Sequence, residues 1–207
     1  MKSKLTPWDV LESTMSYEDP WLRVRSDRCR TPQGYVIEPY HVIEYSTWVN
    51  VLALASTGQV VLVQEYRHGV RQVLLGLPGG AVETKDENLC AAIQRELLEE
   101  TGYGGGQFFE IGQSYANPSN QNNTVWSFLA LNVSRLQEQH LDEAENIDIV
   151  LQDFISFSQQ AWNGEIPMQA FHLATLGFAT QFILRSNLPQ IQTIRAKLLQ
   201  AASSERR

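Results

Sequence analysis

The chain has 207 residues, of which 43% are hydrophobic and 19% charged, enough for one globular domain with a full core and a small extra element. A net charge of −7 and a pI near 5.1 argue against a nucleic-acid partner, which calls for a broad basic surface. No apolar run reaches the ~20 residues that span a bilayer, no apolar leader follows Met1, and Cys29 and Cys90 form neither a metal-type pair nor a disulfide framework. The expectation is a reduced, cytoplasmic protein without a membrane or nucleic-acid partner.

Residues 1–45 read as short strands and turns, a region apart from the main domain at 46–200. Trp21-Leu22-Arg23-Val24-Arg25 partly alternates apolar with charged residues, as a half-exposed strand does. Arg23, Arg25, Arg28 and Arg30, with Asp27 among them, then read as a solvated strand face. Pro32-Gln33-Gly34 marks a turn, and Tyr35-Val36-Ile37 opens another strand. Trp48 to Ala55 is a strand, broken by Ser56-Thr57-Gly58, and Gln59 to Tyr66 is the next. The run Val60-Val61-Leu62-Val63 implies burial on both faces.

Leu77-Pro78-Gly79-Gly80 predicts a tight loop whose glycines let backbone approach a ligand. Asp86 is placed to cap a helix over Leu89–Thr101, ended by Gly102. Strands follow at Phe108–Gln113 and Thr124–Val133, around the polar loop Asn117–Asn123. Helices are expected at Asp153–Trp162 and Met168–Arg185, and a frayed polar tail after Leu199. Strands, then a helix, then strands and helices describe an α+β type of α/β protein, a mixed sheet sandwiched between helices with antiparallel strands at the N-terminus.

The chemistry points to the Leu89–Thr101 helix. Glu96, Glu99 and Glu100 stand at i, i+3 and i+4, within an arc of about 100°. Cys90, Ile93, Leu97 and Leu98 form the neighbouring packing face. Such an acidic triplet is ordinarily a solvated surface. Here it follows a Pro-Gly-Gly loop and ends in Glu-Glu-Thr-Gly, where extra acid opposes the helix dipole. Locally unfavourable choices of this kind mark functional sites. Hard carboxylate oxygens suit Mg²⁺, with Mn²⁺ the alternative. Arg95, four residues before Glu99, is placed to orient that carboxylate.

These residues resemble the Nudix signature: Gly, five residues, Glu, seven residues, then Arg-Glu-aliphatic-any-Glu-Glu-any-Gly-aliphatic. Arg95-Glu96-Leu97-Leu98-Glu99-Glu100-Thr101-Gly102-Tyr103 matches its second half, and seven residues separate Glu87 from Arg95. Six residues rather than five separate Gly80 from Glu87, an insertion ahead of the helix. Trp48-Val49-Asn50-Val51, Glu65-Tyr66-Arg67-His68-Gly69, Leu77–Gly80, Asn117-Pro118 and Glu143–Ile149 look like the ADP-ribose/ADP-sugar pyrophosphatase branch. The likeness runs from about Trp21 to Phe182.

The resemblance implies a Nudix fold over 46–200 and a homodimer formed through the N-terminal strands. It implies Glu96 and Glu100 as metal ligands, helped by Glu99 and the Gly79 carbonyl, with Arg95 positioning a glutamate. Arg67 is the arginine for the substrate's diphosphate or terminal phosphate. Glu143 or Glu145 activates the attacking water, Glu145 being the better match. Gly80 offers close backbone approach, and Trp48 and Tyr40 are the aromatic candidates for substrate contact. His41, His68, His140 and His172 share no ligand spacing and read as ordinary polar or packed residues. Gly76 departs from the branch, where many members carry Glu before Leu-Pro. The expected reaction is Mg²⁺-dependent cleavage of ADP-ribose or a related ADP-sugar to AMP and a sugar phosphate. The alternatives are another nucleotide (a nucleoside triphosphate, GDP-sugar or dinucleotide) or a non-catalytic nucleotide sensor.

Overall fold

A computed structural model describes residues 5–143 and 145–204. The chain divides into two compact units, one of Met1–Ser46 with Tyr115–Thr124 and one of Thr47–Ser114 with Val125–Arg207.

In the first unit, β1 (Asp9–Glu18), β2 (Arg23–Arg30) and β3 (Val36–Glu44) form an antiparallel sheet in that order. The arginines on β2 meet acids: Arg25 pairs with Asp27 at 2.9 Å and with Glu44, Arg28 with Glu38 at 2.8 Å, and Arg23 with Glu18 at 3.1 Å. Three of the four arginines of the basic cluster are therefore paired with acids within their own sheet. Strand β1 is exposed along its whole length although it carries Val10, Leu11, Met15 and Tyr17.

The second unit is built on β4 (Trp48–Ala55), β5 (Gln59–Arg67), β6 (Gln72–Gly76), β7 (Gly79–Ala81), α1 (Leu89–Thr101), β8 (Tyr103–Gly104), β9 (Gln107–Tyr115), β10 (Thr124–Arg135), β11 (Ile147–Asp153), α2 (Phe154–Trp162), α3 (Ala170–Arg185) and α4 (Gln192–Ser204). The sheet path is β11-β5-β4-β10-β8, with β6 on β5, β7 on β4 and β9 on β10. It is mixed: β10 runs parallel to β4, while β5 is antiparallel to β4 and to β11.

Strand β4 is apolar on both faces because helices cover both. Val49, Val51 and Ala53 pack with Ala92, Ile93 and Leu97 of α1. Leu52 and Leu54 pack with Phe154 and Phe157 of α2 and Leu176, Ala179 and Ile183 of α3. Strand β10 alternates likewise, Phe128 and Ala130 against Leu129 and Leu131. A register shift at Asn132, whose φ is 61°, returns Val133 to the α1 face. Helix α1 has the expected bounds and ends at Gly102 in the left-handed region.

Asp86 does not cap α1. Asn88 does, its side chain accepting from Ala91 N–H at 3.0 Å. The tail also differs from expectation: α4 runs to Ser204, held against α2 and α3. Among the described residues no helix is long and apolar enough to cross a membrane.

Candidate active site

The wheel of α1 turns its three glutamates to different surroundings. Glu100 is 6% exposed, and its Oε2 accepts from the Gly79 N–H at 2.9 Å. Burial, then the neighbouring Glu96, Glu145 and Glu65, push its carboxyl up to about 8. Glu96 is raised to about 7, again by burial first, against the opposing pull of Arg95. Glu99 is turned outward, its side chain 40% exposed, and takes Arg95 Nη1 at 3.0 Å.

Arg95 gathers the acids. Its Nη1 lies 3.0 Å from Glu96 Oε1 as well as from Glu99. Its Nε and Nη2 donate to Asp86 Oδ1 and Oδ2 at 2.9 and 3.0 Å. That two-point bond is the strongest form of the pair, and it leaves the Asp86 side chain 4% exposed. The hydrogen bond from Arg95 holds the Asp86 carboxyl below the usual range, and the guanidinium is correspondingly raised. Glu87, the acid at the signature spacing, is exposed. The acid that Arg95 holds is thus Asp86, separated from Gly80 by five residues, and the extra residue falls between Asp86 and Arg95.

The Pro-Gly-Gly segment is less a loop than a short strand. Gly79–Ala81 pairs with Trp48–Asn50 of β4, which brings it under the carboxylates. A Cβ on Gly79 would fall 2.2 Å from Val49 O, and one on Gly80 2.6 Å from Glu96 Oε1. Only glycine lets the strand sit so close to both its neighbour and the acid.

Around this strand a cavity of about 470 Å³ opens, lined by Glu65, Glu96, Glu99, Glu100, Asp142 and Glu145. Its cations are Arg67, Lys85 and Arg95. Glu145 lies on the segment before β11, its Oε2 accepting from Asp142 N–H at 3.1 Å. Glu143, exposed, does not line the cavity. Glu65 on β5 is raised by burial and by Glu145, and holds Arg67 Nη2 at 2.9 Å.

Arg67 also lines a second cavity of about 230 Å³, with Trp48, Asn50, Gln169, Phe171 and His172. Gly79, Gly80 and Ala81 form the wall common to both. His172 is 5% exposed, and burial, with the Arg67 charge, pushes its imidazole down to about 3. Its Nδ1 accepts from Leu77 N–H at 3.3 Å, so the ring proton is on Nε2. The ring occupies the space over Gly76, where a Cβ would stand 2.9 Å from Cε1 and Nδ1.

Of the residues singled out from sequence, Glu96, Glu99, Glu100, Arg95, Glu145, Arg67, Gly79 and Gly80 line the acidic cavity, and Trp48 lines its neighbour. Tyr40 belongs to the first unit, where its hydroxyl donates to Ser119 O and its ring meets Trp8 edge-on at 5.9 Å. Sequence reasoning missed Glu65, Asp142, Asn50 and His172. The signal for His172 was Gly76, a glycine where a larger residue is common.

The comparisons with known proteins agree with the resemblance drawn from the signature. The family described as NUDIX domain matches residues 45–169, and the nucleoside diphosphate sugar hydrolase N-terminal domain matches residues 8–43. An ADP-ribose pyrophosphatase of Bacillus subtilis is 31% identical over 110 residues, 53% of this chain and 59% of that protein, so the chain spans under two thirds of that relative. An ADP-ribose pyrophosphatase of Mycobacterium tuberculosis is 26% identical over 181 residues, 83% of this chain and 86% of the other. A solved ADP compounds hydrolase shares the fold, with a TM-score of 0.75 at 19% identity over 87% of this chain and 96% of the other.

Proposed function

The chain belongs to the Nudix family, and from that premise we propose that it hydrolyses the diphosphate linkage of a nucleoside diphosphate sugar, ADP-ribose or a related ADP-sugar, to AMP and a sugar phosphate. The observation that carries this is the pair of carboxylates, buried Glu100 and largely buried Glu96, lining one cavity together with the cation Arg67.

A divalent metal fits this donor set. Among the described residues no three His, Cys, Asp or Glu side chains already form a cage for an ion. The carboxylates are nevertheless close enough to raise one another's proton affinity, and burying acid beside acid is costly without a cation. Glu96 and Glu100 with the Gly79 carbonyl would hold Mg²⁺, and Glu99 would assist. A bound metal of this class supplies charge neutralisation on phosphoryl oxygens and activation of water.

The rest is the work of side chains. Arg67 lies at the boundary of the two cavities, held by Glu65, and would bind the diphosphate oxygens. Lys85 adds a further cation to the cavity lining. Glu145 would take the proton from the attacking water as its oxygen bonds to phosphorus, while the bridging phosphorus–oxygen bond breaks and its electrons leave on the departing phosphate. Arg95, tied to Asp86, fixes Glu96 and Glu99. The N-terminal sheet would join two copies through β1, a reading supported by its exposed Val10, Leu11, Met15 and Tyr17.

The test is a panel of ADP-ribose, ADP-glucose, GDP-mannose, NADH, diadenosine polyphosphates and deoxynucleoside triphosphates with Mg²⁺, with products identified. The expected result is preferential turnover of an ADP-sugar to AMP. Preference for a triphosphate or dinucleotide would transfer the site to that substrate. Tight binding without turnover of any of them would make the chain a sensor.

A further inference from the structure

The smaller cavity is lined by a polar residue that the protein leaves partly unmatched. Asn50 is 1% exposed. Its Oδ1 accepts from Thr175 Oγ1 at 2.5 Å, and Thr175 Oγ1 is 2.6 Å from Ser127 Oγ. The other end of the amide, Nδ2, is buried without a partner. Buried amides are almost always satisfied, so an orphan one needs a reason. His172 lines the same cavity, its Nδ1 accepting from the Leu77 N–H, which puts the ring's own donor on Nε2.

The walls and the size narrow the occupant. Trp48 and Phe171, ring centroids 5.6 Å apart and tilted by 51°, give an aromatic side. The cavity, about 230 Å³, is below the ~300–1,000 Å³ of sites that take a whole drug-sized ligand, so it suits a single ring. It shares Gly79, Gly80 and Ala81 with the acidic cavity, so a ring held here adjoins the place proposed for the diphosphate. The adjacent Arg67 disfavours a cationic ring. A sugar meets each condition. Its carbon–hydrogen face packs on aromatic rings, and its hydroxyls can both donate and accept, satisfying the amide end and the imidazole together.

We propose that this cavity is the subsite for the sugar of a nucleoside diphosphate sugar, and that Asn50 and His172 select the sugar by hydrogen bonds to its hydroxyls. The inference rests on the hydrolase reading above and adds the residues that discriminate. It also explains the departure at Gly76: the glycine makes the room in which the His172 ring stands over the cavity.

The experiment measures calorimetric binding of ribose 5-phosphate, glucose 1-phosphate and AMP to the whole protein and to Asn50→Leu, His172→Leu and His172→Gln. It is paired with kcat/KM for ADP-ribose, ADP-glucose and GDP-glucose. Asn50→Leu and His172→Leu should each weaken the preferred sugar phosphate by at least about tenfold and leave AMP within about twofold. The ADP-ribose to ADP-glucose ratio should shift by at least about tenfold, with the ADP-glucose to GDP-glucose ratio unmoved. His172→Gln, which keeps an acceptor and a donor, should recover most of the binding. Equal losses for AMP and sugar phosphate, a change confined to AMP or to the base ratio, or no change would each overturn the subsite, as would a wild-type protein that binds neither sugar phosphate. A protein that binds a sugar phosphate through Asn50 yet cleaves no nucleotide sugar would keep the subsite and discard the hydrolase reading.

Discussion

Asp86 and Arg95 are joined at two points, Nε to Oδ1 at 2.9 Å and Nη2 to Oδ2 at 3.0 Å, in a pair almost closed to solvent on the acid side. The same guanidinium reaches Glu96 and Glu99, so the position of these two carboxylates depends on an acid outside the helix. Asp86→Asn should therefore cost about 2 kcal/mol of stability, the scale of a charge-assisted bond that Arg95 only partly replaces with its other acids. It should also lower kcat by about tenfold or more through misplaced glutamates. Glu87→Gln should leave both within error. Urea unfolding and steady-state kinetics on the two variants check this, and a larger effect at Glu87 would reverse the assignment.

Gly76 and His172 should behave as one unit. Gly76→Ala places a methyl 2.9 Å from the ring and should destabilise the protein by about 1–3 kcal/mol. His172→Ala in the same chain should remove most of that penalty. A double-mutant cycle by denaturant titration reads the coupling, and additive costs would show that the ring accommodates the methyl elsewhere.

His172 also sets an acid limb. Its folded-state pKa of about 3 is below the ordinary value of 6.5, so the unfolded chain binds the extra proton first as pH falls. The stability due to the neutral ring is present in full above about pH 6.5 and is lost as pH falls toward 3, with a slope of up to ~1.4 kcal/mol per pH unit. His172→Leu should flatten that limb by one proton. Melting curves between pH 7 and pH 4 measure it.

The N-terminal sheet gives a prediction of assembly. Strand β1 exposes Val10 at 61% and Met15 at 40%, which a lone surface strand rarely does. Sedimentation should find a dimer in the wild type and monomer in a Val10→Lys/Met15→Lys variant. A monomeric wild type would contradict the dimer.

Where the sequence was informative, it was so for physical reasons. Helix α1 was legible because Ile93 and Leu97 repeat at helical spacing and Gly102 ends the run, and β4 and β10 because their apolar runs are buried on both faces. The acidic half of the site came with α1, since one helix carries Arg95, Glu96, Glu99 and Glu100. What stayed hidden depends on contacts distant in sequence. Strand β7 contains two glycines, poor strand formers, and exists because β4 pairs with it. Helix α4 is polar apart from Ile194, Leu198 and their neighbours, and its apolar side is packed on the core beside α2 and α3. Asp86 and Glu87 are adjacent acids, and counting residues favours Glu87, whereas only the fold shows which of them meets Arg95. Asn50 and His172 lie 122 positions apart in the numbering and meet at one cavity wall.

Diphosphate hydrolysis at the α1 carboxylates is tested by Mg²⁺-dependent turnover of ADP-ribose by the wild type and by Glu100→Gln, with products separated. The wild type should give AMP and ribose 5-phosphate, and turnover should fall by at least about a hundredfold in a Glu100→Gln protein that melts no lower, because the amide removes a buried acid. Turnover by Glu100→Gln near the wild-type rate, with that protein folded, would contradict it.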